Sequence, residues 1–358
     1  MFYLTFLGTS AGVPTKQRNV SALAVVCFDP YAHHAKRKAA QKHRPWVLID
    51  CGEGTQHQLL RSKLSLLDLQ AICITHVHGD HCYGLPGLLA SMAMAGRSEP
   101  LTLIAPKAIG TLLDTLRQAT ELFLPYPVTF LAIEDLLTNS AAPHHRLNFT
   151  EQHHLDISIT PLSHRVASFA FALTQHTDHQ KLDTAKLEHA GIARGVIWGQ
   201  LFKGLDVHTE TGEQLRAADY IKVETHSLHI VVAGDNDDAD LLLPLIDNAS
   251  LLVHEATYTQ DVHERIQARI DSGQQLDPKH STAAQVAAFA QKIQLPNLIL
   301  THFSARYQLF EDIAHKTANM AHIRAEAEAQ YHGNLWLAED FAQFEISHDG
   351  EVKRTDIS

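Results

Sequence analysis

Apolar residues along the chain gather into short runs punctuated by glycine, proline and polar turn residues. Phe2 to Leu7, Ser21 to Phe28, Trp46 to Ile49, Ala71 to Ile74 and Leu101 to Ala105 are too short for helices, and their composition predicts strands. Lys107 to Leu122 instead repeats its apolar positions at helical spacing and predicts an amphipathic helix. Further strands are expected before His164, at His229 to Ala233, Leu251 to Val253 and Leu298 to Leu300, and around Leu335 to Phe344. Thr282 followed by Gln285 has the form of a capping box and starts a helix at Ala283. From Lys181 to Arg216 the pattern changes to mixed polar sequence with several glycines and exposed-looking Ile197, Trp198 and Phe202, as expected of an inserted segment between two strands.

Composition narrows this picture. With 358 residues, 45% of them hydrophobic, the chain buries a sizeable core, and no Pro- or Ser-rich tract, repeat or low-complexity segment marks a linker. No apolar run reaches the ~20 residues needed to cross a bilayer. The start, MFYLTFLGTS, lacks the basic region and long apolar core of a signal peptide, so a cytoplasmic protein is expected. Cys27, Cys51, Cys73 and Cys82 have neither disulfide-framework nor zinc-site spacing and read as free thiols. A formal net charge of −11 argues against a nucleic-acid partner unless basic residues collect on one face and bound cations offset the acidic groups.

The densest chemistry lies in Ile72 to Leu89, ICITHVHGDHCYGLPGLL. A buried strand stops at Thr75, and the glycines and proline after His81 turn the chain into a helix, so His76, His78, Asp80 and His81 sit on a strand-to-helix loop. Side chains at i and i+2 of an extended segment point the same way. His76 and His78 can therefore share one cation while Asp80 and His81 turn to a second.

HVHGDH followed by GLPGLL resembles the metallo-β-lactamase superfamily, and within it the ribonuclease Z family of tRNA 3′-processing endonucleases, over nearly the whole chain. The resemblance implies an α/β protein: a four-layer αβ/βα sandwich, two mixed β-sheets flanked by helices, folded as a single domain over residues 1–358. It implies a flexible arm inserted at about 181–216 that clamps the tRNA elbow, and a homodimer in which one subunit's arm serves the other's active site. The loop PTKQRN, with Pro14, Lys16, Arg18 and Asn19, matches the family's P-x-K-x-R-N loop, which senses the 3′ end of tRNA. Its cations are expected to reach outward. Two features depart from the family pattern: Phe169-Ala170-Phe171 replaces Gly-Tyr-Arg, and the arm has Gly195-Val196 in place of Gly-Pro. The arm is also not basic, with five Lys or Arg against five Asp or Glu.

Isolated imidazoles and carboxylates recur at the ends of the other predicted strands: Asp50, His164, Asp235, His254 with Glu255, and His302, with Arg306 one turn on. The expected assignment is His76, His78 and His164 on one metal, Asp80, His81 and His302 on the other, and Asp235 between them. Asp50 is expected behind the ligands, accepting a hydrogen bond from a ligand histidine. An imidazole-rich set favours two Zn²⁺ per subunit, with Mn²⁺ admissible. Such a pair would acidify water and neutralise phosphate oxygens. Asp80 would orient the attacking group or take its proton, and His280, held by Glu255, would protonate the departing ribose 3′ oxygen. Arg306 and the PTKQRN loop are expected to contact RNA. The basic connector with Lys36, Arg37, Lys38, Lys42 and Arg44 reads as a solvated hairpin tip that could extend that surface. The partner is then precursor tRNA, with no membrane involved. A metallo-β-lactamase-fold hydrolase of small phosphodiesters or sulfate esters is the alternative, because the ligand set specifies reaction type more firmly than substrate.

Overall fold

The computed structural model describes residues 1–31, 44–140, 143–209 and 212–355. Lys36, Arg37, Lys38 and Lys42 of the basic connector lie outside them. The first sheet has eight strands in the spatial order Val352–Thr355, Gln343–Ile346, Phe2–Gly8, Ala22–Cys27, Trp46–Ile49, Leu69–Cys73, Leu101–Ala105 and Val128–Ala132. The second has seven: Asn334–Leu337, Asn297–Thr301, Leu251–Glu255, Ile221–Ala233, Ser168–Leu182, His153–Leu162 and His144–Thr150. Both are mixed, parallel at one end and antiparallel at the other.

Strand alternation divides the side chains among layers. Phe2, Leu4, Phe6, Val25 and Cys27 point between the sheets and meet Ile157, Phe171, Leu173, Ile230 and Ile299 of the second sheet. Their neighbours Ala24 and Val26 face outward and, with Leu48, Ile72 and Leu103, are covered by Leu85–Met94 and Lys107–Thr120. Ala170, Ala172, Val231 and Leu252 do the same on the second sheet under Gln260–Asp271, Ala283–Lys292 and Met320–Glu328. The layer order is therefore helix, sheet, sheet, helix. Central parallel strands covered on both faces explain why their sequences are continuously apolar.

Several boundaries differ from the sequence reading. The single strand expected around Leu335 to Phe344 is two, Asn334–Leu337 in the second sheet and Gln343–Ile346 in the first. Asp340 lies in the turn between them, where Phe341 has a left-handed φ of 69° that interrupts extended backbone. The helix from Lys107 stops at Thr120 because Glu121 turns left-handed, with φ 54°.

The described residues of the inserted segment form regular structure. Ser168–Leu182 and Ile221–Ala233 pair continuously from Ala170↔Ala233 to Leu182↔Ile221, a hairpin stem of roughly 40 Å at about 3.3 Å per residue. At its far end Thr184–His189 and Val196–Phe202 are helical and enclose Leu187, Ile192, Trp198, Leu201, Val207, Leu215 and Ala217. Trp198, read from the sequence as exposed, is the centre of this cluster, its indole N–H donating to the Ile192 carbonyl at 3.1 Å. Ile197 is half-buried, and among the segment's described residues the large apolar side chains that face solvent are Val196, Phe202 and Leu205. Among the described residues no helix is long and apolar enough to cross a membrane.

Candidate active site

The C-terminal ends of strands from both sheets open onto one edge, the usual place for a site in an open α/β sheet. Leu69–Cys73 delivers His76, His78, Asp80 and His81, and Trp46–Ile49 delivers Asp50. From the second sheet come His164 after His153–Leu162, Asp235 after Ile221–Ala233, Glu255 at the end of Leu251–Glu255 and His302 after Asn297–Thr301. Close approach of these turns requires glycine: a Cβ on Gly52 would lie 2.2 Å from the Asp80 carbonyl oxygen, and one on Gly234 would lie 2.6 Å from Thr75 Cβ. Asp50 and His302 hold left-handed φ angles of 61° and 56°, and Lys279 one of 54°. Each such residue costs roughly 1–3 kcal/mol, so surrounding contacts fix these bends.

Two groups of donor atoms converge. In the first, His78 Nδ1 lies 3.1 Å from His76 Nε2 and 3.2 Å from His164 Nε2, while Asp235 Oδ2 is 3.6 Å from His76 Nε2 and 3.7 Å from His164 Nε2. In the second, His81 Nε2 and His302 Nε2 are 3.2 Å apart, and Asp80 Oδ2 lies 3.5 Å from the former and 3.3 Å from the latter. Asp235 Oδ1 is 3.4 Å from both of these nitrogens, so the carboxylate spans the groups with one oxygen toward each.

This donor set fits metal ions. Where the opposite ring nitrogens carry the protons, imidazole nitrogens aimed at one another set lone pair against lone pair. A cation between them removes that repulsion, and tetrahedral Zn²⁺ with bonds of about 2.0–2.1 Å sets ligand nitrogens about 3.3 Å apart. The observed 3.1 and 3.2 Å match that spacing. The opposite ring nitrogens are also engaged. His164 Nδ1–H donates to the Lys279 carbonyl at 2.8 Å, and His81 Nδ1 lies 2.7 Å from Asp50 Oδ2. Asp50 in turn accepts from the Thr75 amide at 2.7 Å and the Thr75 hydroxyl at 2.9 Å, so one carboxylate orients both the strand end and a ligand ring. Burial depresses the basicity of His76, His78 and His164, favouring the neutral ring a ligand needs. Burial alone would raise Asp80, but hydrogen bonding to His302 and His81 holds it far below the ordinary carboxylate value.

His280 sits at the rim. Its Nδ1 lies 3.0 and 2.9 Å from the two oxygens of Glu255, whose carboxylate is fully buried and also accepts from the Asn236 amide at 2.7 Å and from the Thr257 hydroxyl. Burial would lower the His280 imidazole, and Glu255 more than offsets this, lifting it to about 9. Thr282 and Gln285 complete the capping box that starts the next helix and fix the backbone just after His280. His254 is turned away, with Nδ1 2.8 Å from the Glu255 carbonyl oxygen and Nε2 3.2 Å from Asn236.

The turn leading into PTKQRN touches the centre through Gly12, whose amide donates to Asp80 Oδ2 at 2.7 Å. Pro14 and Lys16 are exposed and Asn19 is half-buried. Arg18 departs from expectation. Instead of reaching outward it is buried, with Nη1 donating to the Tyr307 carbonyl at 2.9 Å and its guanidinium packed over Phe303 at 5.6 Å. Ser10–Ala11 pairs in parallel with Phe303–Ser304 beside it, so Arg18 seams two loops together. Arg306 is exposed and lies 5.2 Å over the Tyr258 ring, itself 5.8 Å from the His280 ring. Arg44 is exposed and 5.8 Å over Phe28.

Three further residues were given no role by the sequence reading. Thr257 sits 3.1 Å from His302 Nδ1 and also bonds Glu255, tying ligand to rim. Thr75 lies 3.0 Å from His76 Nδ1. Asp340 accepts from the Asn19 amide at 2.6 Å, from Thr9 Oγ1 at 2.9 Å and from Gln58 Nε2 at 2.9 Å, anchoring both ends of the loop. Thr75 lies inside the stretch Ile72 to Leu89 and Thr257 two residues after Glu255, but only tertiary contacts reveal their partners.

Comparison with known proteins follows from this geometry. A family model described as Anti-Pycsar protein Apyc1 matches residues 38–184, under half of the chain. The ribonuclease Z of Pseudomonas putida is 45% identical over 352 residues, 97% of this chain and 98% of that one. Among solved structures, the short form of human tRNase Z superposes with a TM-score of 0.56 at 24% identity, covering 96% of this chain and 99% of that one. The metallo-β-lactamase fold protein YhfI from Bacillus subtilis gives a TM-score of 0.57 at 14% identity, covering 96% and 98%. At these identities the structural likenesses bear on fold alone.

Proposed function

The chain belongs to the ribonuclease Z family, and on that premise we infer that it is a metal-dependent endoribonuclease of the metallo-β-lactamase superfamily that removes the 3′ trailer from precursor tRNA. The observation that carries the reading is the convergence of seven side chains from both sheets, His76, His78, His164 and Asp235 with Asp80, His81 and His302, into donor groups whose atoms lie within 4.8 Å of one another.

Two Zn²⁺ ions would be held there, one by His76, His78 and His164 and the other by Asp80, His81 and His302, with Asp235 between; Mn²⁺ suits the carboxylate-bearing group. When bound, such cations supply Lewis acidity toward phosphate oxygens and acidify water. Asp80 Oδ2, steadied by the Gly12 amide, orients the attacking water or receives its proton. His280 supplies a proton to the departing ribose 3′ oxygen as the P–O3′ bond breaks, leaving a 3′ hydroxyl on the tRNA and a 5′ phosphate on the trailer. Glu255 at Nδ1 keeps that imidazole charged and its tautomer fixed. Lys16, Pro14, Asn19 and Arg306 contact RNA near the scissile linkage. Arg18 supports the loop that carries them. Residues 181–216 form the arm that engages tRNA far from the cut, in a cytoplasmic homodimer.

The test is incubation with a 3′-extended precursor tRNA, with and without chelator, mapping the cut. One metal-dependent cut leaving a 3′ hydroxyl is expected. Metal-dependent hydrolysis of bis(p-nitrophenyl) phosphate with the precursor untouched would favour the small-diester alternative.

A further inference from the structure

On the solvent side of the second sheet, a row of polar side chains crosses four strands well away from the ligand edge. Arg146 pairs in register with Asp156, and His154 with His176, which is in register with Ser227. His176 is six residues along its strand from Ala170, which marks the ligand edge, a separation of roughly 20 Å at about 3.3 Å per residue. His154, Asp156 and His176 are all half-buried and offer three donor atoms within 4.8 Å of one another. The two imidazoles stack with centroids 4.8 Å apart and an interplanar angle of 24°.

The second contacts of these groups are those of a ligand set. His176 Nδ1 lies 2.8 Å from Ser227 Oγ, which leaves Nε2 facing Asp156 Oδ2 at 3.4 Å. In the tautomer whose Nδ1–H donates to the serine, Nε2 presents a lone pair beside the carboxylate oxygen and is free to bind a cation; in the other, Nε2–H donates to Asp156. Asp156 is fixed by Arg146, with Nε to Oδ1 and Nη2 to Oδ2 both at 2.7 Å. That fork uses one lone pair on each oxygen, so each keeps another for a metal. The same fork keeps Asp156 below the ordinary carboxylate value and therefore ionised.

We propose that His154, Asp156 and His176 form a second, separate metal site that takes one exchangeable divalent ion of the zinc class. Two imidazoles and one carboxylate suit Zn²⁺, Ni²⁺ or Cu²⁺ rather than Mg²⁺ or Ca²⁺, and solvent completes the coordination on the open face. The neighbouring guanidinium weakens the site, which makes it looser than the seven-ligand centre. The rival description is a hydrogen-bonded histidine, carboxylate and arginine row that holds no ion.

Equilibrium dialysis of the full-length, metal-loaded protein against micromolar Zn²⁺ separates the two. The expected result is one equivalent of Zn²⁺ beyond the tightly held complement, absent in His154→Ala and in His176→Gln, with metal-dependent hydrolysis and thermal melting unchanged in both. Arg146→Gln, which removes the competing cation, should tighten the extra equivalent by about tenfold. If wild type and both histidine variants bind the same number of ions, or Arg146→Gln leaves the affinity unchanged, the metal site is overturned. The tightly held complement is counted independently, so failure here leaves the main centre untouched.

Discussion

His76 at the ligand edge and Trp198 at the far end of the arm are both buried, but their surroundings come from different places. The ring of His76 is met by His78 and Thr75 from its own loop and by His164 and Asp235 from the other sheet. Among the described residues, Trp198 belongs to a cluster drawn from one contiguous stretch of chain, Leu182 to Ile221. The edge is therefore specified by tertiary structure and the arm cluster by local sequence. A change at the edge disturbs partners in both sheets, whereas a change in the arm stays there.

The largest effect tests the first half of that contrast. His302→Ala removes a donor facing both Asp80 and Asp235, and is expected to cut both metal retention and cleavage by more than the about 10- to 100-fold cost of losing an outer partner. Elemental analysis with a hydrolysis assay reads both. His280→Ala comes next: turnover should fall by about 10²- to 10⁴-fold while metal content stays at the wild-type level. A variant that lost its metal as well would make His280 part of the ligand set and blur the distinction between rim and centre. Asp50→Asn should weaken metal binding by about 10- to 100-fold, because His81 and Thr75 lose their shared acceptor, and a chelator competition series measures this. The smallest effect on chemistry belongs to the arm. Trp198→Ala should cost about 3–5 kcal/mol of the arm's own stability, visible as faster amide exchange across residues 184–202. Hydrolysis of bis(p-nitrophenyl) phosphate should meanwhile stay within about twofold, as expected for distant sites. If that rate fell with the exchange protection, the two regions would be coupled and the contrast would fail.

The same contrast explains what could be read from the chain. The strands flanking the centre were legible because double burial makes them continuously apolar, and the local ligand cluster was legible because its four donors are adjacent in sequence. His164, Asp235 and His302 were recognisable as strand-end residues, but their convergence needed the family resemblance. Arg18 was misread because an arginine in a polar loop carries no mark of burial; its partners, Tyr307 and Phe303, lie nearly three hundred residues away. Trp198 was misread for the reverse reason, since glycines and charges around it hid a cluster too small to show a period. The break at Phe341 depends on one left-handed residue, and nothing in the composition of Leu335 to Phe344 announces it.

The central claim is that side chains far apart in the chain, drawn from both sheets, hold a pair of metal ions that make the phosphodiester chemistry possible. Elemental analysis of active protein, stripped of loosely held ions on a chelating resin, tests it most directly. Two equivalents of transition metal per chain, falling together with activity in Asp235→Asn, is the predicted result. Full cleavage of precursor tRNA by protein that retains no transition metal would contradict it.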